Sequence, residues 1–168
     1  MGERGAAGAA AVPERIRPPR VCGVILAVCV AGCGKSPPPD PAPDIELGQA
    51  KFRMFCSPCH GSEGQGTPNG PPPLAGSPWV MGPEARLIRI ILHGVRGAIE
   101  VHEKTYNLEM PGFGPILRDA DIAAILSFVR AAFGGPSPPV SARAVSEVRA
   151  LHPDRMDYWS AEELLGYE

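Results

Sequence analysis

Two thiols and an imidazole stand together at Cys56-Ser57-Pro58-Cys59-His60, and their spacing limits the chemistry open to them. Two cysteines separated by two residues reach the two vinyl groups of one porphyrin, and a histidine immediately after them turns its ring toward the iron. The motif therefore predicts one covalently attached haem c, with Cys56 and Cys59 as attachment points and His60 on the metal. Two plainer chemistries use similar residues. A redox-active dithiol sits at the start of a helix after a strand, in a βαβ context, and no strand signal surrounds this motif. A structural zinc site wants four ligands and usually a second paired motif, and only scattered His93 and His102 are on hand to complete one.

The elements that must position these groups read as helices. Ile45, Gly48, Phe52 and Phe55 recur at roughly helical spacing and predict a first helix running into Cys56. Between Gly61 and Pro83 glycines and prolines dominate without periodicity, which predicts an irregular loop laid over something. Leu87, Ile88, Ile91 and Leu92 mark one face of a short helix from Glu84 to His93, with Glu84, Arg86 and Arg89 polar and Gly94 as a stop. Ile122, Ile125, Leu126, Val129 and Phe133 give a stripe from about Asp119 to Phe133, with Asp119 available as a cap and Gly134-Gly135 as an end. A Pro/Ser stretch, Pro136 to Ser141, precedes a weakly helical segment at Ala142 to Ala150 that is expected at the periphery. Ser160 followed by Glu163 makes a capping box for a last short helix. Strand signals are almost absent, so the predicted class is all-α.

The ends of the chain carry a different message. Arg15, Arg17 and Arg20 precede the apolar run Val21 to Ala31, a layout expected of a secretory signal that is too short to span a bilayer. The run ends in Val30-Ala31-Gly32-Cys33, which resembles a bacterial lipobox, so residues 1–32 are expected to be removed and Cys33 lipidated. Multiple acyl chains hold a protein firmly where one chain does not. Residues 33–44 would then form a lipidated, proline-rich stalk, 45–134 the folded domain, and 135–168 a C-terminal tail. All five cysteines are accounted for: Cys22 and Cys29 leave with the signal, Cys33 carries lipid, and Cys56 and Cys59 carry haem. From Cys33 onward the chain has 12 basic and 16 acidic residues, a formal charge of −4, which is unlike a nucleic-acid-binding surface.

Over about Ile45 to Gly134 the chain resembles the class I bacterial cytochromes c. The resemblance lies in Gly48 and Phe52, Cys56-Ser57-Pro58-Cys59-His60-Gly61, Gly70-Pro71-Pro72-Pro73-Leu74, Met110-Pro111-Gly112-Phe113-Gly114, and the closing helix with Asp121-Ile122, in the family's order. It implies helices wrapped around one haem, a backbone carbonyl of Pro72 accepting from the second ring N–H of His60, and a methionine on the far face of the iron. Among Met54, Met81, Met110, His93 and His102, Met110 is favoured: it stands 50 residues after His60 in a turn of Pro and Gly that lets sulfur approach a flat porphyrin. Met54 is nearly adjacent to Cys56, and Met81 suits ordinary packing. Trp79, Tyr106 and Asn107 are expected in flanking loops, within reach of propionates or the methionine sulfur. Arg118 departs from the family, where a hydroxyl residue often caps the last helix.

Two filled axial positions imply outer-sphere electron transfer, not catalysis. A haem enzyme such as a peroxidase, or a gas-binding sensor, needs Met110 absent or labile. The segments around Leu74 and Met110 are similar to cytochrome modules that work beside quinoprotein dehydrogenases and respiratory oxidases. That implies a dehydrogenase as donor, an oxidase or another cytochrome as acceptor, and a membrane-anchored place on the periplasmic side of the cell envelope.

Overall fold

The computed structural model of the protein describes residues 40–167. The expected signal, Cys33 and most of the proline-rich stalk lie outside the described residues. Helix α1 (Ile45–Phe55) is capped by Asp44, whose carboxylate accepts the Leu47 N–H at 2.9 Å. It runs into the paired cysteines, and a single turn, α2 (Ser57–His60), follows with Pro58 early enough that its missing N–H costs nothing. The stretch after Gly61 is irregular as expected, except that Ser77 caps one helical turn, α3 (Pro78–Met81). Helix α4 (Glu84–His93) stops at Gly94.

Four short strands then appear that periodicity did not reveal: β1 (Gly94–Arg96), β2 (Ala98–Val101), β3 (Lys104–Asn107) and β4 (Met110–Pro111). Strands β2 and β3 form an antiparallel hairpin, while β1 pairs antiparallel with β4. The turn of the hairpin is His102-Glu103, both at positive φ (50° and 61°). A two-residue turn of that hand matches strand twist but usually uses Asn-Gly, so His102-Glu103 carries no hairpin signal. Helix α5 (Asp119–Val129) continues into a π-wound turn, Arg130–Gly134. Helix α6 (Ala142–Leu151), strand β5 (Trp159–Ser160) and helix α7 (Ala161–Leu165) complete the chain. The architecture is predominantly helical, with the short strands grouped in a three-stranded sheet and a two-stranded hairpin.

Helices α1 and α5 cross so closely that a Cβ at Gly48 would be built into the Ala124 carbonyl. Phe52, fully buried, fills the space beside that crossing, 5.4 Å from the Phe128 ring and 5.3 Å from Phe133. The expected cap of α5 is corrected. Asp119 is already helical and its carboxylate takes the Arg149 guanidinium at 2.8 Å. The extended residue before the helix is Arg118, whose backbone N–H donates to the Asp121 carboxylate at 3.4 Å while its guanidinium adds bonds of 3.0 and 3.2 Å. Lys51 of α1 reaches the same carboxylate at 3.4 Å.

The segment after Gly134 is not peripheral. Val140, Val145 and Val148 are buried in the same cluster as Phe52, Ile122 and Leu126. Buried Ser127 accepts the Val140 N–H at 2.9 Å and donates back to its carbonyl, so this hydroxyl leaves no bonding need unmet. Arg149 also donates to the carbonyls of Gly114 and Leu117, stitching α6 to the turn before α5. Strand β5 pairs in parallel with β1, and Trp159 and Leu164 form a second cluster with Ile90 and Val95. Arg86 and Arg89, on the expected polar face of α4, are buried as well. Arg86 lies over Trp79, and Arg89 lies over Tyr167 and donates to His152.

The Arg118 bonds, followed by Lys51, hold the Asp121 carboxyl below the usual range. Its stabilising contribution is complete above the unfolded pKa near 4 and is lost as pH falls through the lower folded value. Asp121→Asn should lower stability by about 1 kcal/mol at neutral pH and flatten the acid limb of a pH–melting curve. A curve parallel to that of the parent would show that Asp121 makes no such contribution.

Candidate functional site

Helices α1 and α2 bring Cys56, Cys59 and His60 to one wall of a cavity of about 400 Å³. Its other walls come from the Pro71–Leu74 loop, from Leu87, Ile90 and Ile91 on α4, from Ile125, Leu126 and Val129 on α5, and from Met110 on β4. The lining is mainly aliphatic and aromatic, which suits a large, flat, apolar ligand carrying few polar groups. Cys56, Cys59, His60, Pro72 and Met110 therefore meet around one space.

His60 is 7% exposed, and its Nδ1–H donates to the Pro72 carbonyl at 2.9 Å. That bond fixes both ring orientation and tautomer: with the proton on Nδ1, the lone pair is on Nε2. Burial outweighs the Pro72 bond and pulls the His60 pKa down, so the ring is neutral, the form that binds metals. The carbonyl is held in place by the loop itself. Gly66, at φ 68°, donates its N–H to the His60 carbonyl at 2.8 Å, and a Cβ there would lie 2.6 Å from the Pro71 oxygen and 2.8 Å from the Pro72 carbonyl carbon. Only glycine fits both the conformation and the space.

Of the five candidates for the far face, Met110 alone lines the cavity. Met54 and Met81 are 69% and 51% exposed. His93 donates from Nδ1 to the Arg155 carbonyl, and His102 donates from Nε2 to the Ala75 carbonyl. Met110 is placed by two sets of bonds. Strand β4 pairs with β1, and just beyond it the N–H groups of Phe113 and Gly114 donate to the carbonyls of Ile91 and Leu92, which the end of α4 would otherwise leave without partners.

The flanking residues are redistributed. Trp79 lines the cavity, but its indole N–H is committed to the Glu100 carbonyl at 3.0 Å. Tyr106 lines it from β3, whereas Asn107 faces a separate shallow pocket with Arg96 and Ser160. The residues that sequence reading missed are Ile99 and Val101, which line the cavity from β2. The signal was present as the alternation Ile99-Glu100-Val101, but three residues of it are too few to read as a strand. The hairpin is tied over the site by His102 and by Lys104, which donates to the Pro68 carbonyl at 2.9 Å.

This geometry disfavours the two plainer chemistries. Cys56 is buried beside Cys59, and burial, with a smaller push from Cys59, raises its thiol to about 12. A redox-active dithiol needs the opposite shift. Helix α1, not a strand, leads into the motif. Among the described residues no three His, Cys, Asp or Glu side chains converge to hold a metal ion. The set that does fit is two thiols, one oriented neutral imidazole and one thioether around an apolar slot, which suits a covalently attached iron porphyrin.

Comparison with known proteins agrees. The Cytochrome c family model matches residues 45–132. The chain is 36% identical over 110 residues to cytochrome c-552 of Thermus thermophilus, covering 60% of this chain and 83% of that protein. It is 38% identical over 111 residues to the fructose dehydrogenase cytochrome subunit of Gluconobacter japonicus, 61% of this chain but 22% of that subunit. It is 35% identical over 108 residues to the cbb3-type cytochrome c oxidase subunit FixP of Azorhizobium caulinodans, 62% of this chain and 35% of that subunit. The match spans more than half of the chain and takes in the whole cavity wall from Phe55 to Val129, so the chain belongs to the cytochrome c family, carries one covalent haem c in a class I fold and transfers electrons through it.

Proposed function

We propose that Cys56 and Cys59 would hold the haem by thioether bonds, that His60 Nε2 and the Met110 sulfur would be its two iron ligands, and that the protein is a tethered electron carrier with no catalytic site of its own. The observation that carries this reading is the meeting of His60 and Met110 on the walls of one apolar cavity, with the other nitrogen of His60 already committed to Pro72. When bound, haem c supplies a one-electron iron couple. The chain does the rest. The Pro72 carbonyl orients His60 and raises its basicity. The Met110 thioether is a soft donor that favours the ferrous state, and the aliphatic walls exclude water and disfavour the extra ferric charge, so both raise the potential.

The domain limits 45–134, the removal of residues 1–32 and the lipidation of Cys33 belong to the same proposal. A lipid on Cys33 and an extended proline-rich stalk of about 3 Å per residue would hold the domain near a membrane on the periplasmic side of the envelope. Among the described residues no helix is long and apolar enough to cross a membrane. The similarity to cytochrome subunits of a dehydrogenase and an oxidase supports a dehydrogenase as donor and an oxidase or another cytochrome as acceptor. Such encounters use small interfaces, below about 1,200 Å².

Three outcomes test this. The ferrous holoprotein should be low-spin and take up little carbon monoxide, and Met110→Ala should make it high-spin and reactive; ready uptake by the unaltered protein would replace the carrier with an enzyme or a gas sensor. Gly66→Ala, strained by about 1 kcal/mol or more and crowding Pro72, should lower the yield of holoprotein and raise its midpoint potential, because a loosened His60 donates less to ferric iron. Cys33→Ser should release the protein from the membrane fraction; retention there would exclude the lipid anchor.

A further inference from the structure

Met110 lies on a strand of only two residues, and its one strand neighbour, β1, is three residues long. A pair that short is marginal in water, and a third strand or a packed face is needed to hold it. The third strand comes from the far end of the chain. Val95 of β1 faces Met110 on one side and Trp159 of β5 on the other. Met110 also packs directly against the cluster of Ile90, Val95, Trp159 and Leu164.

Trp159 is in turn locked from several directions. It is 1% exposed, with the His152 ring 4.9 Å away, the Tyr167 ring 5.4 Å away and the Arg155 guanidinium 3.4 Å above its face. Arg155 donates to the Tyr158 carbonyl and to the Glu163 carboxylate, and its own carbonyl accepts from His93 at the end of α4. Among the described residues the buried indole N–H of Trp159 has no hydrogen-bond partner, so its shape and ring contacts, not a polar bond, hold it there.

We propose that Trp159 is a positioning residue for Met110: the C-terminal wrap completes the small sheet and keeps the methionine sulfur on the iron. This inference rests on Met110 being the sixth ligand. The thioether is a flexible, unbranched ligand, so its occupancy depends on how firmly its backbone is held. A chain without this wrap would keep its haem through Cys56, Cys59 and His60 but would open the far face of the iron.

The test compares purified ferrous holoproteins for carbon monoxide uptake and for the sulfur-to-iron charge-transfer band of the ferric form. Trp159→Ala should increase carbon monoxide uptake about tenfold or more, the factor set by about 1.4 kcal/mol of lost restraint, and should weaken the band while haem stays covalently attached. Trp159→Phe, which keeps a ring in the slot, should restore both. Arg155→Ala, which leaves no core void, should show the same change in smaller measure and decides the matter if Trp159→Ala does not fold. Met110 also packs on the larger cluster, so Val145→Ala, buried there but on α6 and outside the sheet of β1, β4 and β5, serves as the control for general loss of core packing and should leave both signals unchanged. If Val145→Ala responds as strongly, or if neither Trp159→Ala nor Arg155→Ala responds, the positioning role is overturned while Met110 remains the ligand. Ready uptake by the unaltered protein would remove the Met110 reading itself.

Discussion

The contact of α1 with α5 at Gly48 and Ala124 is the constraint from which the rest of the domain follows. Two helices approach within backbone contact only where one of them has no side chain, and that closeness sets the slope at which α1 delivers Cys56 and His60 to the cavity. The far side of α5 supplies Ile125, Leu126 and Val129 to the same cavity, so one crossing fixes two walls. Asp121 reinforces it at the other edge, tying Lys51 and Arg118 together. With the crossing in place, Phe52 closes the space beside it and the loop from Gly61 has a surface to lie on.

The cavity then depends on backbone placed by covalent geometry more than on side-chain bonds. The Pro72 carbonyl holds His60, glycine permits the loop behind it, and the carbonyls at the end of α4 catch the segment that carries Met110. Each of these groups has a fixed direction and little freedom to lose, which suits a site that has to keep the same geometry in two charge states. The apolar walls from α4 and α5 add the dry surroundings.

Much of this was legible from residues alone. The C-x-x-C-H motif carried the cofactor, the 3.6-residue stripes carried α1, α4 and α5, and a turn rich in Pro and Gly pointed to Met110. What could not be read was whatever depends on contacts distant in sequence. Strands of two to four residues have no measurable period, and His102-Glu103 lacks the usual chemistry of its turn. The cap of α5 was misassigned by one residue because Asp119 has a partner, Arg149, that only the packing of α6 reveals. The same holds for the tail. Val140, Val145, Val148 and Trp159 are spaced too loosely to suggest a core, yet they finish both clusters.

The parallel pairing of β5 with β1 also bears on the order of assembly. Trp159 follows Val95 by 64 residues, and contacts of such separation are slow to close because the intervening chain must first give up its freedom. The cysteines and histidine leave the ribosome long before Trp159 exists. A nascent chain therefore presents its thiols while the Met110 side of the slot is still unbraced, and β5 shuts that side only later.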